Sequence, residues 1–102
     1  MRSAAYKAAG ADSLFVPGLV DLAAIAELAA GPLPVAVMVW PGAPTVAELT
    51  AAGAIRISLG SAIAQAAYGV ATRAASELFT TGTYNSSAAG FEYRTMNDAL
   101  TR

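Results

Sequence analysis

The sequence has 102 residues, enough for one small domain. Hydrophobic residues make up 56% and charged residues 13%, about half the usual charged share, so disorder is excluded for most of the chain and few groups remain to solvate its outside. With a net charge of −1, no cysteine and no histidine, it offers no basic footprint for nucleic acid, no disulfide and no thiolate, and it lacks the commonest metal ligand and general base.

In chain order, Arg2–Ala9 reads as the end of a helix stopped by Gly10. Ser13–Val16 (SLFV) is expected to be a strand, turned by Pro17-Gly18. Asp21 then caps a helix over Leu22–Ala30 whose inward stripe is Leu22, Ile25, Ala26, Leu28 and Ala29. Val35–Trp40 is a short, wholly apolar run rich in β-branched residues, the pattern of a strand covered on both faces. After PGAP, Thr45 and Glu48 form a capping-box pattern that opens a helix over Val46–Ala52. Gly53 stops it, and Ile55–Leu59 is the third strand, ending at Gly60. A long helix over Ser61–Phe79 follows, with Ile63, Ala67, Val70, Ala74 and Leu78 along one side. The tail, residues 85–102, is more polar, with Asn85-Ser86-Ser87 as a loop and a weak helix in Thr95–Leu100.

The triplet AAG recurs at residues 8–10, 29–31 and 51–53, each time before a strand. A period of 21 to 22 residues built from strand, Gly-containing loop and Ala-rich helix gives three consecutive βα units and a parallel sheet. Three parallel strands leave two unpaired edges, whereas an eight-stranded barrel has none. The fold expected is therefore α/β, a sector of a (βα)8 barrel over residues 1–84, with a self-contained small α/β domain as the alternative. No apolar run approaches the ~18 residues of a membrane span, and the first residues lack the apolar core of a signal peptide, so a cytoplasmic location is the expectation.

The segments AYKAAGADSLFVPGLVD, PLPVAVMVWPGAPTVAELTAAGAIRISLG and ELFTTGTY resemble the C-terminal third of the isocitrate lyase and phosphoenolpyruvate mutase superfamily, in the branch similar to carboxyvinyl-carboxyphosphonate phosphorylmutase. The resemblance covers residues 3–84 and rests on GADxxFVPG, PGAPxxxEL and RxSxG taken together. It implies strands six, seven and eight of a (βα)8 barrel. It also implies an enzyme that binds Mg2+ and an α-keto acid or its enolate, then breaks or moves a neighbouring C–C or P–C bond. The family's metal-binding acids and gating loop belong to earlier strands, so no catalytic residue and no cofactor are assigned here. The resemblance further implies a homo-oligomer, because family members exchange their last helix with a neighbouring subunit. Where many members carry asparagine in the seventh strand, this chain has Ala36, Met38 and Trp40 on one side. Where relatives carry glutamate after the sixth strand or arginine early in the last helix, it has Pro17 and Gln65.

Three residues stand as candidates for substrate contact. Trp40 ends its strand on the side where barrel enzymes work, though a large side chain filling the mouth is the simpler reading. Gly60 and Ser61, opening the long helix, could offer backbone N–H groups to an anion, though a tight turn that merely uses glycine is the simpler reading, since no GxGxxG or P-loop pattern supports a phosphate site. Arg56 and Ser58 share one face of the third strand, where an interior ion pair or hydrogen bond is expected. The acids Asp12, Asp21, Glu27, Glu48 and Glu77 are dispersed, with no spacing that suggests a metal site or an acid/base pair. Two functions are thus open: an enzyme fragment inactive until the missing strands are supplied, by the remainder of the gene product or by a separate chain, or a non-catalytic scaffold that self-associates. Both have the Ser61–Phe79 helix pack on another chain, and neither involves nucleic acid or a membrane.

Overall fold

The computed structural model describes residues 2–101, and the chain divides into two compact units, Met1–Ala62 and Ile63–Arg102. The first unit holds helix α1 (Arg2–Ala8), strand β1 (Leu14–Pro17), helix α2 (Leu22–Ala29), strand β2 (Val35–Met38), helix α3 (Val46–Ala51) and strand β3 (Ala54–Ser58). The strands form one parallel sheet in the order β1-β2-β3. Each strand is joined to the next through a helix, so the three expected βα units are present in the expected order.

Helices α2 and α3 start where a capping side chain satisfies free backbone N–H groups. The Ala24 N–H donates to Asp21 Oδ1 over 2.7 Å. Thr45 and Glu48 complete a reciprocal box, with the Thr45 N–H donating to Glu48 Oε2 at 2.8 Å and the Glu48 N–H to Thr45 Oγ1 at 3.3 Å. These bonds, the one from the Thr45 backbone first, hold the Glu48 carboxyl below its ordinary range. At the end of α3, Gly53 has φ 97°, the left-handed region that a helix terminus of this kind demands. A Cβ there would also lie 2.5 Å from the Cβ of Ala29, so the glycine lets α2 and the start of β3 approach. Gly31 of the middle AAG triplet is absent from the positive-φ glycines of the described residues, and Pro32 immediately after it breaks the helix instead.

Side-chain alternation assigns the two faces of the sheet. Val35, Val37 and Ala54 are buried with Ile25 of α2 and Leu49 of α3, and Ile57 and Val39 pack against that cluster. The opposite face carries Phe15 and Pro17 from β1, Ala36 and Met38 from β2, and Arg56 and Ser58 from β3, as the register requires.

Several boundaries differ from expectation. The first strand runs over Leu14–Pro17 rather than Ser13–Val16, because Pro17 pairs with Met38 on an edge strand, where a missing N–H is tolerated. The second ends at Met38, although the Val39 N–H still donates to the Ser58 carbonyl at 2.8 Å. The third starts at Ala54, and the ladder shifts between Val35/Ala36, leaving Ile55 as the extra residue of a bulge and 68% exposed.

The second unit holds most of helix α4 (Ala62–Thr81), a 3-10 turn at Asn85–Ser87 and helix α5 (Tyr93–Leu100). The expected loop at Asn85–Ser87 is thus a turn, and the last helix begins two residues earlier than expected. Glu77 accounts for the turn. Its carboxylate accepts from the Thr83 hydroxyl at 2.6 Å and from the N–H groups of Asn85 and Ser86 at 2.8 and 2.7 Å. No residue of α4 is buried, and Ile63, Tyr68, Val70, Leu78 and Phe79 are all exposed. No helix among the described residues is long and apolar enough to cross a membrane.

Candidate functional site

In a parallel sheet fed by helical crossovers, the C-terminal ends of the strands all open on one side, and the loops there can converge on a ligand. Here those ends are Pro17-Gly18 after β1, Trp40 after β2, and Gly60-Ser61 after β3. The indole of Trp40 reaches sideways to the loop of β1. Its ring edge lies 3.2 Å from where a Cβ of Gly18 would stand, so the glycine is the space the ring occupies. Met38 does the same on the other flank, with its sulfur 2.8 Å from the equivalent point of Gly60. The three candidates therefore end adjacent strands but have different near neighbours: Trp40 lies on Gly18, and Gly60 faces Met38. Trp40 remains 48% exposed. Ser61 lies in the turn where the Ala62 N–H donates to the Leu59 carbonyl at 3.0 Å, one residue before α4.

The chemistry available at this edge is apolar. Pro17, Met38 and Trp40 offer surface, and the glycines offer backbone. Below them on the same face, the Ser58 hydroxyl donates to the Val37 carbonyl over a long 3.4 Å. The Arg56 guanidinium lies 5.0 Å from the centroid of the Phe15 ring, a cation–π contact that spans β2. Among the described residues no group of three or more acidic, histidine or cysteine side chains could hold a metal ion. The donor set does not fit a hard divalent cation, which needs converging oxygens, so no chemical step is routed through one.

A groove of about 630 Å3 lies elsewhere, along the outer edge of β3 and α3, lined by Val46, Thr50, Ala54, Ile55, Ile57 and Leu59. Its lining is mainly apolar, without the converging polar groups that orient a small molecule. Sequence reasoning missed the part played by Glu77. The polar run Thr83, Asn85, Ser86 just past the helix end was the available signal, because a carboxylate one turn back can satisfy such N–H groups.

Comparison with known proteins follows the same segments. A profile of the family described as phosphoenolpyruvate phosphomutase matches residues 1–79. A crystal structure of a protein from Burkholderia cenocepacia J2315 described as a lyase/mutase superposes with a TM-score of 0.86 and 38% identity, over 99% of this chain and 38% of that one. A second from the same organism, described as a phosphonomutase, gives a TM-score of 0.61 and 46% identity, over 80% of this chain and 32% of that one. None of the curated proteins matches. The chain thus spans well under half the length of these solved relatives, and its three parallel strands with their helices match part of a TIM-barrel-like lyase fold. Since the matched residues include all three strands and the two helices that connect them, this chain belongs to the phosphoenolpyruvate phosphomutase family, within the isocitrate lyase superfamily.

Proposed function

We propose that the chain supplies strands six to eight of a (βα)8 barrel. In this reading the completed barrel is a Mg2+-dependent lyase or mutase acting on an α-keto acid or its enolate. The observation that carries it is that the described residues form a three-stranded parallel sheet and no closing strands, in a chain covering only 38% of a relative that it matches along 99% of its own length. An eight-stranded barrel removes both open edges. The metal and the acid/base groups come from the other strands. This sector closes the barrel and forms one wall of the mouth, with Trp40 as its apolar surface and Gly60 and Ser61 offering backbone N–H groups to an anionic part of the substrate. The bare apolar side chains of α4 support association, with residues 61–79 packing on a second copy or on the chain that supplies the missing strands. Those same exposed residues favour a second reading, a non-catalytic scaffold that self-associates.

The test is an activity assay on the purified chain with phosphonopyruvate and with oxaloacetate, with and without Mg2+. No turnover is expected from the chain alone. Turnover that follows the protein through purification would overturn the assignment. Turnover appearing only with the remaining barrel strands favours the enzyme, and a stable homo-oligomer inert under every condition favours the scaffold.

A further inference from the structure

The face of the sheet turned away from α2 and α3 is an almost apolar surface with one charge. Its strand residues are Phe15, Pro17, Ala36, Met38, Arg56 and Ser58, and only Arg56 among them is ionisable. Phe15, Ala36 and Arg56 stand level on three adjacent strands. Strands two apart are separated by about 9.6 Å, yet the guanidinium lies 5.0 Å from the Phe15 ring, so the two side chains meet across β2, on which Ala36 stands level with them. Ala36 is 1% exposed for that reason, while Phe15 is 45% exposed and Arg56 is also open.

Among the described residues of its own unit, no acidic strand residue shares this face with Arg56. None of the three strands contains an acidic residue. Asp21 and Glu48 are committed to helix caps, Glu27 is exposed on α2, and Asp12 lies in the loop before β1. Covering this face would enclose a guanidinium that is always charged, and an enclosed charge without a counter-charge costs several kcal/mol. A second copy placed face to face would add a second arginine and no strand carboxylate, which makes this worse.

We propose that Arg56 docks a carboxylate carried by the strands that complete the barrel, and that this ion pair selects the completing chain over a second copy for this face. The assignment rests on the barrel-sector reading. Phe15 and Ala36 prepare the site: the small residue lets the guanidinium lie flat, and the ring holds it there while its N–H groups remain available.

The experiment co-expresses this chain with the part of the Burkholderia cenocepacia lyase/mutase that has no counterpart in it, and measures the dissociation constant of the resulting complex. Arg56→Lys keeps the charge but loses the flat, stacked fork, and should bind more weakly than the unmodified chain yet more tightly than Arg56→Met. Arg56→Met keeps an apolar roof over Ala36 without the charge and should weaken the complex by roughly 30-fold or more. Arg56→Glu should weaken it further, while circular dichroism of each variant alone stays unchanged. Equal binding by Arg56→Met and the unmodified chain would show that the side chain is only a roof and overturn the proposal. Failure of the unmodified chain to form a complex would instead refute the sector reading itself, and the Arg56 assignment with it.

Discussion

Substituting Gly53 by alanine separates two costs that the fold places at one residue. The first is conformational: at φ 97° an alanine Cβ crowds the backbone, for about 1–2 kcal/mol. The second is packing: the new Cβ would stand 2.5 Å from the Cβ of Ala29, well inside contact distance, so α2 or β3 must move. Overfilling a packed site costs about 1–3 kcal/mol, and the sum is about 2–5 kcal/mol. Gly10 provides the control within the same molecule. It closes the same AAG triplet at φ 96°, but a Cβ there meets nothing within 4 Å, so Gly10→Ala carries the first cost alone. Thermal unfolding at one fixed protein concentration is the assay. Gly53→Ala should melt at least about 4 °C below Gly10→Ala. Adding Ala29→Gly to Gly53→Ala removes the colliding atom and should recover part of that gap, although glycine at the last position of α2 has its own cost of up to about 1 kcal/mol. Equal losses for Gly53→Ala and Gly10→Ala, or no recovery in the double variant, would refute the close approach of α2 to the start of β3.

Two further predictions concern charge. The hydroxyls of Ser86 and Thr83, and then the N–H groups of Ser86 and Asn85, hold the Glu77 carboxyl at about 2 against an ordinary 4.5. A depressed carboxylate stabilises its fold above the unfolded value and loses that contribution as pH falls through the folded one. The Asn85–Ser87 turn should therefore loosen between about pH 4.5 and pH 2, read from amide resonances of Thr83, Asn85 and Ser86, and Glu77→Gln should loosen it already at neutral pH. Calorimetric titration of the isolated chain with Mg2+ should show no stoichiometric site tighter than about 1 mM, because such a site needs converging carboxylates; micromolar stoichiometric binding would contradict the donor-set argument.

Much of the first unit was legible because its signals are local. Asp21 and the Thr45/Glu48 pair announce helix starts through their own hydrogen bonds, and Gly10 and Gly53 announce stops through their conformation. The β-branched Val35 and Val37 mark the central strand. The misplacements came from pairing, which depends on a neighbouring strand. Pro17 enters the ladder because Met38 lies opposite, and Ile55 leaves it because Ala36 pairs with Arg56 instead. At the candidate mouth, the sequence placed Trp40, Gly60 and Ser61 at strand ends. It could not pair Trp40 with Gly18 or Met38 with Gly60, since those contacts cross between strands. The Glu77 network was hidden for a similar reason, as it joins residues six to nine positions apart around a helix end.

The claim that this chain associates through its bare surfaces, which both readings of its function share, is tested most directly by sedimentation of the purified protein. The bare face of α4 and the open strand edges predict a species heavier than the 10.2 kDa monomer, either a defined oligomer or an aggregate. Val70→Asp, which places a charge in the middle of that face, should dissociate or unfold it, because an unpaired buried charge costs several kcal/mol. A cooperatively folded monomer of 10.2 kDa, with Val70→Asp equally stable, would contradict the account.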